Sequence, residues 1–333
     1  MHVEAGLAII MVVKIVDTNM QGIVLILVGA LLLTVMDGVI KQLLESDLSV
    51  LQILAVRSWL VIPFMVLWSW RALPAGALRT KRPALHFVRV VLAFFAPFAF
   101  FSALETLPLA DATVIFFGAT FIMTALSVPL LKEYVGPHRW AAVVVGLVGV
   151  VIASDPSGDF WQGGAVLALG ASVAYSLSML ITRWMGPGEG AFKQVLYFHA
   201  WIGTVSSVYV LANFQSMTLT EVLLIGVVTG LAVAGQLCLT RAFSIAPVGL
   251  VAPFEYSAMV WATLIGFFVW GDVPGSLTII GAGIIVASGL YLLHREHLQK
   301  RREKLIAVEA MEAVPPPIAV PVTLGYGAQK KED

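Results

Sequence analysis

The sequence predicts an all-α integral membrane protein of ten transmembrane helices, arranged as two inverted five-helix repeats. Three observations lead there: a composition too apolar for water, an internal duplication, and a sorting of charge between alternate loops. Of 333 residues, 59% are hydrophobic and only 12% charged, with a mean hydropathy of +0.93. A soluble domain is nearer half apolar and a quarter charged. Lipid is therefore the solvent for most of this chain.

The duplication is direct. Residues 103–139 lie on residues 242–278 at a constant offset of 139 without a gap. Ala103 falls on Ala242, Pro108 on Pro247, Ala119 on Ala258, Thr124 on Thr263, Gly136 on Gly275 and Glu133 on Asp272. A second stretch repeats at an offset of 142, where Gln52 meets Gln194, Leu54 meets Leu196, Arg57 meets His199 and Trp59 meets Trp201. A membrane unit written twice is the pattern of repeat-built transporters.

A bilayer core takes about 20 apolar residues per helix. The apolar runs predict helices over about 22–43, 49–70, 84–106, 109–130, 138–154, 161–182, 193–212, 219–241, 248–270 and 275–294. Turn formers punctuate them at residues 73–76, at Gly136-Pro137, and at residues 155–158, 186–188 and 273–275. The predicted organisation is an N-terminal extension (1–20), a first repeat (21–155), a second repeat (160–294) and a disordered, basic then proline-rich tail (295–333). Residues 1–16 lack a small-residue cleavage site and are read as a surface-lying extension, not a signal peptide.

Charge supplies the orientation. One set of loops holds Arg71, Arg79, Lys81, Arg82, Lys132, Arg139, Arg183, Lys193, Arg241 and the basic tail. The other holds Glu45, Asp47, Glu105, Asp111, Asp155, Asp159, Glu221 and Asp272. Only Lys41 breaks the pattern. Basic loops stay cytoplasmic, so both termini are expected inside and the span count even. Five spans per copy then reverse the second copy in the membrane. Such inverted repeats set a solute site near the midplane, between the halves.

Ionisable groups inside a span cost roughly 3 kcal/mol on insertion scales, so each asks for a reason. Asp37 and Arg57 fall at similar depth, roughly 11–12 Å below the outer surface at 1.5 Å per residue. An ion pair is expected there. It serves as a solute or coupling-ion site on one reading and as a neutralising pair on the other. His199, the counterpart of Arg57, is suited to proton coupling, or plainly to a bonded core position. Glu255 follows Pro253 and precedes Tyr256, with Gln236 at similar depth. Pro253 reads as an N-terminal proline or as a loosened backbone beside a cavity. Phe95, Phe98 and Phe117 are candidates to line a pocket for a planar or amphipathic solute, against lipid-facing packing as the bland alternative. Arg89 and Arg241, near inner span ends, are expected to snorkel. Trp68, Trp70 and Trp161 read as interface anchors.

Other signals carry less. Cys238 is a lone thiol in an apolar run, which excludes a disulfide framework. No phosphate loop and no HExxH spacing occur, so no cofactor or metal is expected, and no enzyme. Gly226 and Gly230 form a GxxxG, read as a close helix-packing face. A net charge of zero points to no nucleic acid partner. The expected partners are the bilayer, a small-molecule solute, and a coupling proton or counter-solute.

The two copies also carry a matching phrase. The first runs from Leu107-Pro108-Leu109-Ala110-Asp111-Ala112 to Leu131-Lys132-Glu133. The second runs from Ala246-Pro247-Val248 through Ala252-Pro253-Phe254-Glu255-Tyr256 to Gly271-Asp272-Val273-Pro274. This resembles the drug/metabolite transporter superfamily, specifically its EamA type, over about residues 20–294. The family usually ends the ninth span in Gly-Glu, and here it is Gly271-Asp272. The resemblance implies an inner-membrane secondary carrier with a central cavity. It looks most like branches that take up riboflavin or S-adenosylmethionine, and other branches export amino acids or drugs. A non-transporting membrane scaffold or sensor is the rival of another class.

Overall fold

The computed structural model describes residues 2–46, 48–72, 79–80, 82–132, 135–154, 163–185, 191–246 and 251–312. Expectations that fall on Asp47, residues 73–76, Lys81, Glu133, residues 155–161, 186–188, 247–248 and the tail from 313 lie outside the described residues, as do the side chains of Trp68 and Trp70. Every regular element among the described residues is helical. The first compact unit runs to His294. It contains α1 (His2–Leu44), α2 (Val50–Ala72), α3 (Pro83–Leu104), α4 (Leu109–Phe116), α5 (Ala119–Leu131) and α6 (Pro137–Ala153). It continues with α7 (Gly164–Met185), α8 (Ala191–Asn213), α9 (Leu219–Ile245), a short 3-10 helix (Ala252–Tyr256), α10 (Ser257–Trp270) and the start of α11 (Ser276–Glu312).

Local chemistry sets the ends. Pro83 and Pro137 open α3 and α6, where a missing N–H costs nothing. Thr218 and Glu221 form a capping box on α9: the Thr218 hydroxyl accepts from the Glu221 N–H at 3.3 Å, and the Glu221 carboxylate accepts from the Thr218 N–H at 2.6 Å. Two expectations about the ends change. α1 runs unbroken from His2, so no turn separates residues 1–20 from the first span. α11 runs to Glu312, so residues 295–312 of the expected disordered tail are helical. That stretch is rich in Leu, Lys, Arg, Glu and Ala, strong helix formers, and the first proline arrives only at Pro315.

Among the described residues seven helical stretches are long and apolar enough to cross a membrane, and three shorter apolar helices accompany them at Pro137–Ala153, Phe254–Trp270 and Ser276–Leu292. Large apolar side chains are exposed in stripes: Val144, Val145, Val148 and Val151 on α6, and Val260, Leu264, Phe267 and Phe268 on α10. Water would penalise such faces, whereas lipid accepts them.

Within the unit α1 packs on α9, α3 on α7, and α2 on α8. The largest buried cluster lies where these pairs meet, and includes Ile40, Leu43, Leu54, Phe100, Leu104, Ala171, Ile202, Val228 and Ala262. Close backbone approach explains the α1–α9 crossing. A Cβ added at Gly29 would stand 3.1 Å from the Gly235 carbonyl, and one at Gly235 would stand 3.2 Å from the Gly29 carbonyl. Small residues allow such crossings in lipid. The predicted GxxxG face is corrected by the same measure: added Cβ atoms at Gly226 and Gly230 meet nothing within 4 Å.

Candidate functional site

The fourth apolar span, Leu109–Leu131, is not one helix. It breaks between α4 and α5 at Phe117 and Gly118. A Cβ on Gly118 would press on Val150 of α6 at 2.9 Å, so the glycine lets that helix approach at the break. Its counterpart begins as the 3-10 turn Ala252–Tyr256, with Pro253 in its first positions, before α10 takes over. At the offset of 139, Phe117 corresponds to Tyr256 and Gly118 to Ser257. The two interruptions therefore fall at the same place in each copy, and they touch: the Phe117 and Tyr256 rings lie 5.5 Å apart. Both segments also end alike, in left-handed caps at Lys132 (φ 55°) and Gly271 (φ 73°). Broken helices inside a membrane persist where they are buried in protein or line a cavity.

Polar residues gather in two groups. The first joins α1, α2 and α8. Arg57 lies within electrostatic reach of both Asp37 and His199. Asp37 and Arg57 are neighbours without the contact ion pair expected of them; the ion pair found among the described residues is Lys41 with Asp272. The Arg57 Nε is buried and makes no hydrogen bond among the described residues. His199 is buried and its Nδ1 lies 3.4 Å from the Ser58 hydroxyl, while its ring meets Phe198 edge-on at 5.2 Å. Trp59 beside them donates from Nε1 to Ser207 at 2.9 Å, which holds α2 against α8 at this level.

The second group surrounds the 3-10 turn. Glu255 lies within electrostatic reach of Tyr256 and of Tyr175 on α7. Tyr175 packs on Phe116 at 5.4 Å, and Phe116 on Phe100 at 5.1 Å. The Tyr256 hydroxyl seats over Gly289 of α11, where an added Cβ would overlap it. Just beyond, Ser257 and Trp261 stand one turn apart on α10, and the hydroxyl and the indole N–H are buried without a partner among the described residues. Buried donors of this kind ask for a bonding partner.

The remaining candidates divide. Phe98 packs on the central cluster and stacks on Phe94 at 5.7 Å, 9° from parallel. Phe95 is 50% exposed and meets Phe94 edge-on. Gln236 is exposed on α9. Arg89 does not snorkel: it is 6% exposed, donates from Nε to Thr182 at 2.9 Å and from a terminal nitrogen to the Gln194 carbonyl at 3.2 Å. It ties α3 to α7 and α8, and a buried guanidinium with such partners is structural. Sequence reasoning missed Tyr175, Ser257 and Trp261. For Tyr175 a signal existed, since it replaces Leu33 of the first copy at the offset of 142.

Residues 20–154 match the EamA-like transporter family. The S-adenosylmethionine uptake transporter of Rickettsia bellii is 26% identical over 240 residues, 72% of this chain and 80% of that protein. The riboflavin transporter of Vibrio cholerae is 28% identical over 236 residues, 69% of this chain and 78% of its own. The pseudopaline exporter CntI of Pseudomonas aeruginosa is 27% identical over 285 residues, 84% of this chain and 98% of its own. A solved crystal structure at 18% identity shares the fold with a TM-score of 0.54, covering 84% of this chain and 98% of that one.

Proposed function

We propose that this chain, a protein of the drug/metabolite transporter type whose residues 20–154 match the EamA-like transporter family, is a secondary-active carrier of a small organic metabolite that works by alternating access. One observation carries the reading: two interrupted segments, each at the same place in its copy, meet at Phe117 and Tyr256 beside buried polar groups. Interrupted spans at a repeat interface are where carriers bind solutes.

In this reading the protein has ten spans in two inverted five-helix repeats, residues 21–155 and 160–294, with an extension at 1–20 and a tail at 295–333. The helix pairings support it. The offsets turn α1 into α7 and α3 into α9, so the α1–α9 pair becomes the α7–α3 pair, and both are present. The membrane is the bacterial inner membrane, with both termini cytoplasmic. Arg57, released from direct pairing with Asp37, takes an anionic or acceptor group of the solute. Glu255 with Tyr256 takes a donor or cationic group. Phe98 and Phe117 flank a planar portion, His199 and Gln236 complete the polar lining, and Phe95 stands at its margin. No bond is made or broken in the solute, and a proton or counter-solute drives the flux.

Uptake into sealed vesicles holding the purified protein tests the proposal, with labelled S-adenosylmethionine and riboflavin as probes. Uptake of one of them above empty vesicles is expected, with Arg57→Ala and Glu255→Gln each lowering it by at least about tenfold, the scale of one lost charge-assisted hydrogen bond. Wild-type rates in both variants would mean the site lies elsewhere. A second reading, export, is favoured by one observation: the exporter relative covers 98% of its own length against 80% for the uptake relative. The same vesicles loaded from inside decide between the directions.

A further inference from the structure

Lys41 is the one base on the acidic side of the charge sorting, and the structure gives it a purpose. Its ammonium lies 3.2 Å from an Asp272 carboxylate oxygen and donates to the Leu107 carbonyl at 3.2 Å. The Trp270 ring lies 4.9 Å away, and the Trp270 indole N–H donates to Glu45 just past the end of α1. Asp111 sits in the field of both Lys41 and Asp272. The end of α1 is thus fastened to the turn before α4 and to the end of α10. The left-handed turn at Gly271 aims Asp272 back over α10, where its N–H bonds the Gly266 carbonyl at 3.1 Å. With side chains 11% and 30% exposed, the pair is more shielded than an ordinary surface salt bridge.

A second, independent observation comes from the duplication. At the offset of 142, Lys41 falls on Arg183, and at 139, Glu133 falls on Asp272. Each copy therefore carries a base near the end of its first span and an acid just past its fourth. A pair that merely neutralised one helix end would have no reason to keep both signs in both copies.

We propose that the Lys41–Asp272 pair is a clasp that holds one end of the solute path shut, and that it breaks in every transport cycle. The proposal rests on the alternating-access reading above. The clasp sits one helical turn from a close approach of α1 to α10, where a Cβ on Gly38 would stand 3.1 Å from Ile265. Asp37 lies one residue beyond Gly38 on α1, and α10 starts directly after Glu255 and Tyr256. Parting the ends of α1 and α10 opens the wall beside both polar groups.

The test uses the full chain with Cys238→Ser and Ile265→Cys in sealed vesicles, and a membrane-impermeant thiol reagent added to one side at a time. Labelling from the side that holds Lys41 is expected to rise about tenfold in Lys41→Gln and in Asp272→Asn, the scale of one charge-assisted hydrogen bond. The charge-reversed pair Lys41→Asp with Asp272→Lys is expected to return it to within about threefold of the starting rate, since the same attraction is rebuilt. No rise in the single variants, a rise from both sides alike, or a reversed pair as reactive as the single variants would each overturn the clasp. Solute flux in the same vesicles is a separate readout. Flux with unresponsive labelling removes the clasp and leaves the carrier standing. Responsive labelling without flux keeps the Lys41–Asp272 pair as a closure of the path and removes the carrier reading, and with it the pair's part in a transport cycle.

Discussion

The two broken segments, α4–α5 and the 3-10 turn with α10, share a backbone plan and differ in chemistry. Both are interrupted at one register, and both end in a left-handed cap. Yet Phe116 faces Glu255 in the correspondence, Phe117 faces Tyr256, Gly118 faces Ser257 and Lys132 faces Gly271. At the break itself the second segment holds a carboxylate and two hydroxyls, where the first holds two phenyl rings and a glycine. The neighbours have changed with them. Tyr256 keeps its hydroxyl over Gly289, and at the same offset the first copy has the buried Val150. A paired scaffold can thus host one asymmetric site, provided that packing yields on the side that gains polar atoms.

Three sets of substitutions test the packing around these segments and the α1–α9 crossing, from the largest effect to the smallest. Gly289→Ala fills the space under the Tyr256 hydroxyl and is expected to cost about 1–3 kcal/mol, as overpacking does. Thermal unfolding in detergent reads this as a lower Tm, and Tyr256→Phe in the same chain should return part of the loss. An unchanged Tm would mean that Tyr256 is free to turn aside. Within α9, Gly235→Ala forces α1 and α9 apart and should lower stability by about 1–3 kcal/mol, while Gly226→Ala and Gly230→Ala should not, because they meet open space. Equal losses at all three would refute the α1–α9 crossing. The smallest effect concerns the caps. Lys132 holds a left-handed conformation that costs an L side chain about 1 kcal/mol, a cost absent at Gly271. Lys132→Gly should therefore raise stability by up to about 1 kcal/mol, and Gly271→Ala should lower it by a similar amount.

The sequence made the helices readable because apolar length and turn formers are local signals. The breaks were less readable. Pro253 hinted at one, but the Phe117–Gly118 break has no proline, and it lies where α6 packs against Gly118, a contact between distant segments. Arg89 misled for the same reason: Thr182 and Gln194 lie far along the chain, so a local reading offered only snorkelling. Lys41 stood out in the charge sorting, but its meaning needed Asp272 in contact. In the candidate site, depth arithmetic brought Asp37 and Arg57 to one level. It did not show that they stop short of pairing, nor that Tyr175 joins Glu255 from α7.

Equilibrium binding to the purified protein tests the central claim, that the second broken segment holds the chemistry while the first supplies shape. Labelled S-adenosylmethionine and riboflavin are titrated against the wild type, Glu255→Gln and Phe116→Leu. For the solute that the wild type binds, Glu255→Gln should weaken binding by about 30-fold, the loss of roughly 2 kcal/mol expected for a charged hydrogen-bond partner. Phe116→Leu should stay within about threefold, since a large apolar side chain remains. Equal affinity for Glu255→Gln and the wild type, or a larger loss in Phe116→Leu, would contradict the account.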